Sequence, residues 1–276
     1  MRSHCNHKAK PFVKWVGGKT QLLPELTSRM PANFSRYFEP FLGGGALFFY
    51  LQPEQSTLTD INEELINVYR IIKYKTDELI ADLQQHVYEK DYYYQIRNVD
   101  RTSEYKSWSD VRRASRIIYL NKCCFNGLYR VNSRGEFNTP MGRYKNPKIV
   151  DETNLKACSQ ALQKANIING SFLEVEKKAN SNDFVYFDPP YAPLNSTSNF
   201  TGYSRKGFDA EMQLSLRDLC DRLNHKGVRF MVSNSDAPLI LELYQDYKIE
   251  LVYATRAINS KANKRSKIPE VLVTNY

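Results

Sequence analysis

The sequence predicts an α/β fold with a mostly parallel sheet. Short apolar stretches with strand character alternate along the chain with amphipathic helical stretches, and this alternation is typical of helices packed on a parallel sheet. A length of 276 residues is enough for one such domain and a sizeable insertion. Residues 75–150 break the alternation, because they read as helical and then rich in loops. We therefore predict a sheet domain from residues 1–74 and 151–276, with a second, mainly helical domain inserted at 75–150.

The individual elements follow from the positions of the apolar residues. We expect short apolar strands at 36–41, 56–59, 166–169, 184–187, 228–232, 250–254 and 271–274. We expect helices at 46–51, 62–74, 152–165, 209–223 and 237–244. No repeat or low-complexity segment is visible.

The composition excludes several classes of protein. No apolar run approaches 18 residues and residues 1–10 are basic and polar, so we expect neither a membrane span nor an export signal. Five cysteines without a Cys-x-x-Cys pair suit a reducing cytoplasm and argue against a disulfide framework. His4 and His7 flank Cys5, but a disordered tail is the better interpretation of that segment. We expect a cytoplasmic protein without a metal site.

The net charge of +9 is concentrated in the predicted insertion. Residues 101–148 hold eleven lysines and arginines against three acidic residues. Such a run is usually a solvated surface, but here tyrosine, phenylalanine and tryptophan alternate with the basic residues. A basic, aromatic-rich segment indicates a polyanionic partner, and nucleic acid is the partner we expect.

The segment "KPFVKWVGGKTQLLPEL" at residues 10–26 ends a phosphate-loop pattern at Gly18, Lys19 and Thr20. The pattern requires its first glycine at position 13, which is Val13, and the preceding stretch is short for the strand that feeds such a loop. A nucleotide triphosphatase is therefore disfavoured.

A second glycine-rich segment, "YFEPFLGGGALFF", runs from the first predicted strand through three glycines into a predicted helix. A strand, a glycine turn and a helix form a turn that can cradle a ligand. Asp60 ends the next strand, where a carboxylate can accept hydrogen bonds from both ribose hydroxyls. The third glycine of the dinucleotide pattern is missing, so the order of these features favours an adenosine-containing ligand rather than a generic dinucleotide.

The segment "DFVYFDPPYAPL" places Asp188, Pro189, Pro190 and Tyr191 after an apolar strand. Ligands of open α/β sheets bind beyond the carboxyl ends of the strands, so this tetrapeptide and the glycine turn should border one crevice. The prolines leave carbonyl oxygens without neighbouring N–H donors, Asp188 adds a carboxylate, and Tyr191 offers a ring for stacking. The combination favours a socket for an aromatic amine over a mere end of a strand.

At these motifs the sequence resembles DNA adenine methylases of the Dam type, especially GATC-specific methylases of restriction–modification systems. "KWVGGK", "FEPFLGGG", the basic insertion and "DPPY" occur in the order of the α group of amino-methyltransferases, and the resemblance covers about Pro11 to Tyr276. It implies an S-adenosylmethionine-dependent (Rossmann-like) methyltransferase domain and a DNA-recognition insertion. The implied reaction is methylation of adenine N6 in duplex DNA by base flipping, within GATC. The methylation would either protect the DNA from a restriction endonuclease, without a stable complex between the two enzymes, or mark the DNA in a solitary or phage-borne role.

The resemblance also implies roles for individual residues. The implied cofactor contacts are Trp15, Lys19, Phe41, Gly43, Gly45, Asp60 and Asp188, and the implied catalytic group is Asp188, Pro189, Pro190 and Tyr191. Five residues of the insertion would face the bases: Asn126, Leu128, Arg130, Pro140 and Tyr144. Phe125 would wedge near the space that the flipped adenine leaves in the duplex. Phosphate contact is the better interpretation for Arg134, Arg143 and Lys145. Ser171 departs from the acid that some relatives place near the cofactor adenine. The polar loop 195–208 is long enough to close over a flipped base, or is an ordinary surface loop.

Three other functions stay open on the sequence alone. A small-molecule or RNA methyltransferase would share the cofactor fold but would not need the insertion. A cytosine-N4 methylase is closer, although serine commonly replaces the aspartate of its tetrapeptide. A DNA-binding factor with a decayed methylase fold is disfavoured by the intact Trp15, Lys19, Asp60 and Asp188.

Overall fold

The computed structural model describes residues 8–194, 208–254 and 268–276. The helices in these ranges are α1 (Leu23–Arg29), α2 (Ala46–Leu51), α3 (Glu63–Tyr74), α4 (Thr76–Leu83), α5 (Lys90–Asn98), α6 (Asp110–Cys123), α7 (Glu152–Leu162), α8 (Val175–Lys178), α9 (Ala210–His225) and α10 (Pro238–Leu243). The strands are β1 (Tyr37–Glu39), β2 (Ser56–Asp60), β3 (Ala165–Asn169), β4 (Phe184–Phe187), β5 (Arg229–Ser235), β6 (Lys248–Ala254) and β7 (Ile268–Thr274). None of these helices is long and apolar enough to cross a membrane.

The predicted α/β class is confirmed, and a strand lies at every predicted position, although only β4 has the predicted bounds. Two of the differences have a clear physical reason. β1 ends at Glu39 rather than Phe41, because Pro40 follows and a proline has no N–H group to donate to a neighbouring strand. β5 continues past Val232 through three buried polar residues to Ser235, and these residues pair with β7. The apolar pattern alone does not identify such a polar end of a strand.

The described chain packs as two compact units. The first comprises residues 8–18, Gly43–Gln52 and Asp60–Asn169, and the second comprises Lys19–Leu42, Pro53–Thr59, residues 170–194, 208–254 and 268–276. Helix α3 belongs to the first unit because its apolar face packs against α6. The assignment of residues 75–150 as a separate recognition domain stays a prediction.

The first unit is built mainly from helices, and its two longest start at residues whose side chains cap them. Asn62 accepts a hydrogen bond from the Leu65 N–H group at the start of α3, and Ser109 does the same for Arg112 in α6. Aromatic and aliphatic side chains from α5, α6 and the following loop fill its core, together with Cys123 and Cys124.

A buried ion pair ties the helices of the first unit together. The guanidinium of Arg116, which is 2% exposed, lies 2.7 Å from the carboxylate of Asp100. Arg116 also donates to the carbonyl oxygens of Ile96 and Arg97. A buried charge needs such partners, because an unpaired one costs several kcal/mol, on the order of 3–5.

The second unit contains the parallel strands. Its strands lie in the order β2, β1, β4, β5, β7 and β6, and the first four are parallel to one another. β7 is antiparallel to both β5 and β6. The core of this unit packs aliphatic and aromatic residues of the strands against α9 and α10. The carboxyl ends of β1, β4 and β5 therefore lie at one edge, which is where an α/β sheet places its ligands.

Candidate active site and DNA interface

Asp188 follows β4 directly and lies at the carboxyl edge of the sheet in the second unit. β4 and β5 pair with Phe187 opposite Val232, so the next residues, Asp188 and Ser233, are also neighbours. The Ser233 hydroxyl donates to Oδ1 of Asp188 at 2.8 Å. The strand register thus fixes the carboxylate that the sequence singled out.

Lys19 is the second partner of Asp188. Its Nζ lies 2.7 Å from Oδ1, and the side chains of Lys19 and Asp188 are only 6% and 19% exposed. Both contacts use the same carboxylate oxygen, and neither uses Oδ2. In this partly buried setting the ammonium group balances the carboxylate charge, and the two hydrogen bonds hold the group in one orientation.

Tyr191 completes this cluster. Its ring lies beneath the Lys19 ammonium group, with Nζ 4.7 Å from the ring centroid, and its hydroxyl donates to Glu270 of β7 at 2.5 Å. Burial, with smaller effects from Asp188 and Glu270, raises the pKa of Tyr191 well above its usual value. Tyr191 therefore stays a neutral hydrogen-bond donor, and its ring is fixed at both ends.

The loop that contains the two prolines is held by α9 and β5. Gln213 donates to the Pro190 carbonyl oxygen at 2.9 Å, and Asn234 accepts a hydrogen bond from the Ala192 N–H group at 3.0 Å. The Gln213 and Asn234 side chains are bonded to each other. The Pro190 carbonyl oxygen thus receives its hydrogen bond from a side chain distant in sequence rather than from a neighbouring N–H group. Pro189 is buried at the centre of this loop.

The glycine turn belongs to the first unit. Gly43 has a φ of +47°, and a Cβ atom placed there would lie 2.8 Å from Cδ1 of Trp15. Trp15 therefore packs directly on the turn at a distance that only glycine permits. The Tyr69 hydroxyl donates to the Gly43 carbonyl oxygen, and Gly45 (φ +64°) precedes the first turn of α2.

Asp60 organises the same turn. Its Oδ2 accepts a hydrogen bond from the Gly43 N–H group at 3.0 Å, and its Oδ1 accepts one from Asn62 at 2.9 Å. Burial raises the pKa of Asp60, and the hydrogen bonds from the backbone oppose this effect. Each carboxylate oxygen has a second lone pair, so the group can still accept hydroxyl donors from a ligand.

Phe41 and Ser171 lie in the second unit. The Phe41 ring is partly buried and stacks on Phe172 with centroids 5.1 Å apart. Ser171 accepts a hydrogen bond from the Leu173 N–H group, which starts a short 3-10 turn. A serine at this position thus has a local structural task.

The basic segment after α6 forms an irregular hairpin in the first unit. Cys124 pairs with Met141 and Val131 pairs with Phe137 in isolated antiparallel bridges. At its turn, Asn126 and Gly127 have φ values of +57° and +67°. Several of the residues implied for DNA contact are exposed here: Phe125, Asn126, Arg130, Arg134, Pro140, Arg143 and Lys145.

Four residues of this hairpin are held by specific contacts. Arg130 Nε donates to Oδ1 of Asn138 at 2.7 Å, whereas Arg134 pairs with Glu136 at 3.0 Å. Tyr144 is half-buried and donates to the Cys124 carbonyl oxygen. Leu128 is also half-buried, and its carbonyl oxygen accepts a hydrogen bond from Thr139.

Sequence reasoning missed several residues of the cluster around Asp188. Ser233 and Glu270 contact Asp188 and Tyr191 directly, and Gln213 supports the loop from α9. Of these three residues, only Ser233 could have been found from the sequence, because the polar segment "SNS" ends a strand at the edge of the sheet where ligands bind. The other two depend on tertiary contacts.

Two segments discussed from the sequence lie outside the described residues. These are the segment 195–207, which holds nearly all of the proposed lid, and the His4–Cys5–His7 group. Within the described ranges, no three histidine, cysteine, aspartate or glutamate side chains are grouped so that they could hold a metal ion. Cys123, Cys124, Cys158 and Cys220 are free and buried.

Comparison with known proteins identifies the family. Residues 15–258 match the family described as D12 class N6 adenine-specific DNA methyltransferase. The chain is 49% identical to the type II methyltransferase M1.LlaDCHI of Lactococcus lactis subsp. cremoris, over 97% of this chain and 95% of that protein. It is 42% identical to the type II methyltransferase M.MjaIII of Methanocaldococcus jannaschii (98% and 100% covered) and 36% identical to the DNA adenine methylase of Escherichia coli K12 (96% and 95%). The chain therefore belongs to the D12 class of N6 adenine-specific DNA methyltransferases, enzymes that transfer a methyl group from S-adenosylmethionine to adenine in DNA.

Proposed function

We propose that this methyltransferase acts on the adenine of GATC in duplex DNA, after that adenine has left the base stack. The proposal is supported by the Dam-type motifs in order and by the exposed basic residues of the hairpin after α6. We assign sequence recognition to residues 75–150 and cofactor binding and catalysis to residues 1–74 and 151–276.

The cofactor contacts we propose fit the chemistry of the residues present. Asp60, already oriented by Gly43 and Asn62, suits the ribose hydroxyls, and Trp15 packs on the glycine turn that Asp60 holds. Phe41, Gly45 and Lys19 are proposed to complete the contacts. S-adenosylmethionine, when bound, supplies an electrophilic methyl group.

The observation that carries the catalytic proposal is the way Asp188 is held. Lys19 and Ser233 both bind Oδ1, so we assign Oδ2 to the N6 amine of the target adenine. The Pro190 carbonyl oxygen already accepts a hydrogen bond from Gln213. We therefore propose that the second N6–H group donates to the carbonyl oxygen of Pro189. Two such acceptors would favour a pyramidal nitrogen and direct its lone pair at the methyl group. As the N–C bond forms, the bond from the methyl group to sulfur would break and S-adenosylhomocysteine would leave. The methylated amine would then lose one proton to water.

Base flipping gives Tyr191 its role. Extrusion of a base from the duplex costs a few kcal/mol, and stacking on an aromatic ring offsets part of that cost. The hydroxyl of Tyr191 is bonded to Glu270, so the ring is positioned before a base arrives. Phe125, which is 52% exposed, is proposed to wedge into the space that the base leaves.

Arg130 is the residue we assign to guanine. Its Nε and one terminal nitrogen bond to Asn138, which fixes the guanidinium, and the remaining N–H groups stay available for O6 and N7 of a guanine. Asn126, Leu128, Pro140 and Tyr144 are proposed to contact other bases of the site. Arg134, Arg143 and Lys145 are proposed to contact phosphates.

The experiment compares Arg130→Ala with Lys145→Ala on GATC duplexes and on duplexes with single substitutions, at two salt concentrations. Arg130→Ala should cost about 1–3 kcal/mol on GATC and far less where its guanine is replaced. Lys145→Ala should weaken all duplexes alike and lower the salt slope by about one phosphate contact. Equal loss on every duplex with Arg130→Ala would make Arg130 a phosphate contact.

We further infer a role beside a restriction endonuclease, without a stable complex, because two of the relatives above are named type II methyltransferases. A DNA substrate also supports the expected cytoplasmic location. Expression in a strain that lacks adenine methylation, followed by mapping of the modified adenines, tests the proposed site. Methylation outside GATC would refute it.

A further inference from the structure

Asn121 of α6 holds two loops of the first unit with one side-chain amide. Its Oδ1 accepts a hydrogen bond from the Lys14 N–H group at 2.8 Å, and its Nδ2 donates to the Lys14 carbonyl oxygen at 2.8 Å. The same Nδ2 donates to the Gly127 carbonyl oxygen at 2.9 Å. Asn121 is 2% exposed, so both N–H groups of a buried amide are used to join residue 14 to residue 127.

The two loops also touch through their side chains. Gly127 has a φ of +67°, and a Cβ atom placed there would lie 2.6 Å from Cδ of Lys14. One residue further along the first loop, the Trp15 ring stacks on Tyr129, with centroids 5.0 Å apart and planes inclined by 26°. The amide of Asn121 therefore lies at the centre of a packed contact.

The loops have different tasks in the proposed function: the first carries Trp15, a cofactor contact, and the second carries Asn126, Leu128 and Arg130, which read bases. We propose that Asn121 is a positioning residue for target specificity. It holds residues 125–130, the reading turn, on the loop around Lys14 and Trp15, the cofactor loop. Cofactor binding and base reading therefore depend on each other. This inference rests on the proposed function. It requires no contact between Asn121 and either ligand.

Asn154 of α7 provides a matched control. Its Oδ1 accepts a hydrogen bond from the Lys10 N–H group at 3.0 Å, and its Nδ2 donates to the Lys10 carbonyl oxygen at 3.0 Å. Asn154 is 6% exposed and thus almost as buried as Asn121. It binds the same N-terminal segment by the same pair of bonds, but those bonds do not reach the reading turn.

The experiment compares Asn121→Asp with Asn154→Asp. Aspartate keeps the size and the acceptor of each amide but removes both donors. For Asn121→Asp, we expect the ratio of kcat/KM on GATC to kcat/KM on singly substituted duplexes to fall about tenfold, the factor expected when a base contact is partly lost. If cofactor binding and base reading are coupled, S-adenosylhomocysteine raises the affinity of the wild type for GATC duplexes, and Asn121→Asp should reduce this gain. Asn154→Asp should change both the specificity ratio and this gain in affinity less than about twofold. Equal effects of both variants, or no effect of Asn121→Asp, would overturn the inference.

Amide hydrogen exchange on the wild-type enzyme gives a second test, which decides the matter if Asn121→Asp does not fold. S-adenosylhomocysteine, added without DNA, should slow exchange at residues 125–130 as well as near Trp15. Protection that stops at the cofactor loop and the glycine turn would refute the coupling. The wild type distinguishes a failure of this inference from a failure of the proposed function. If the proposed function were wrong, the wild type itself would not bind S-adenosylhomocysteine or would not prefer GATC duplexes.

Discussion

Gly43→Ala tests the packing of the glycine turn on Trp15. An L residue in the left-handed conformation costs about 1–2 kcal/mol. The new Cβ atom would also lie 2.8 Å from the Trp15 ring, and that ring is held by its stacking on Tyr129. The loss of chain entropy in the unfolded state offsets about 0.4–1 kcal/mol. We expect the free energy of unfolding to fall by about 1–3 kcal/mol, and affinity for S-adenosylmethionine to fall as well because Trp15 must move.

Gly44→Ala is the control for this change. A Cβ atom at Gly44 would meet Cβ of Trp15 at 3.4 Å, an ordinary contact, and Gly44 is not among the glycines with positive φ. Urea denaturation and calorimetry with S-adenosylmethionine measure both quantities for both variants. If Gly43→Ala matched Gly44→Ala within about 0.5 kcal/mol, the argument from strain and close approach would be wrong.

Four further predictions concern the carboxylates and Ser233. Asp60→Ala should weaken S-adenosylmethionine binding by about 1.5–3 kcal/mol for each charge-assisted bond lost, measured by calorimetry. Burial raises the pKa of Asp60, so the folded state binds this proton more tightly than the unfolded state does. The free energy of unfolding of the wild type, relative to that of Asp60→Ala, should therefore decrease as the pH rises through the range in which carboxyl groups titrate. Urea denaturation at several pH values measures this difference, and a difference that increased with pH would contradict the prediction. Asp188→Ala should abolish turnover in single-turnover assays while cofactor and DNA still bind, and near-normal turnover would exclude its orienting role. Ser233→Ala should lower kcat about tenfold with little change in KM, since it removes one of two bonds that orient Asp188, and an unchanged kcat would assign that task to Lys19 alone.

The sequence predicted the features that depend on neighbours along the chain. The apolar run before Asp188 identified β4 to the residue, and the helix predicted over 62–74 agrees within one residue with α3. Phe184–Phe187 is buried throughout, so its pattern reads as a strand of a covered sheet.

The contacts that position the site depend on register and packing, which the sequence does not encode locally. Ser233 reaches Asp188 only because Phe187 pairs with Val232. Glu270 reaches Tyr191 from a strand 79 residues further along the chain. Asn121 reads as one more polar residue of an amphipathic helix until its partners at Lys14 and Gly127 are placed beside it.

The order of the last three strands has a consequence for how the enzyme is made. β7 lies between β5 and β6, so β6 pairs with the sheet only through β7. β7 follows β6 in the chain and is therefore synthesised after it. Until β7 is synthesised, β5 keeps an open edge that is prone to pairing with other chains. β7 also carries Glu270, the partner of Tyr191. Closing this edge and fixing Tyr191 are therefore one event in synthesis, and a nascent chain that lacks β7 has neither a protected sheet nor a positioned tyrosine.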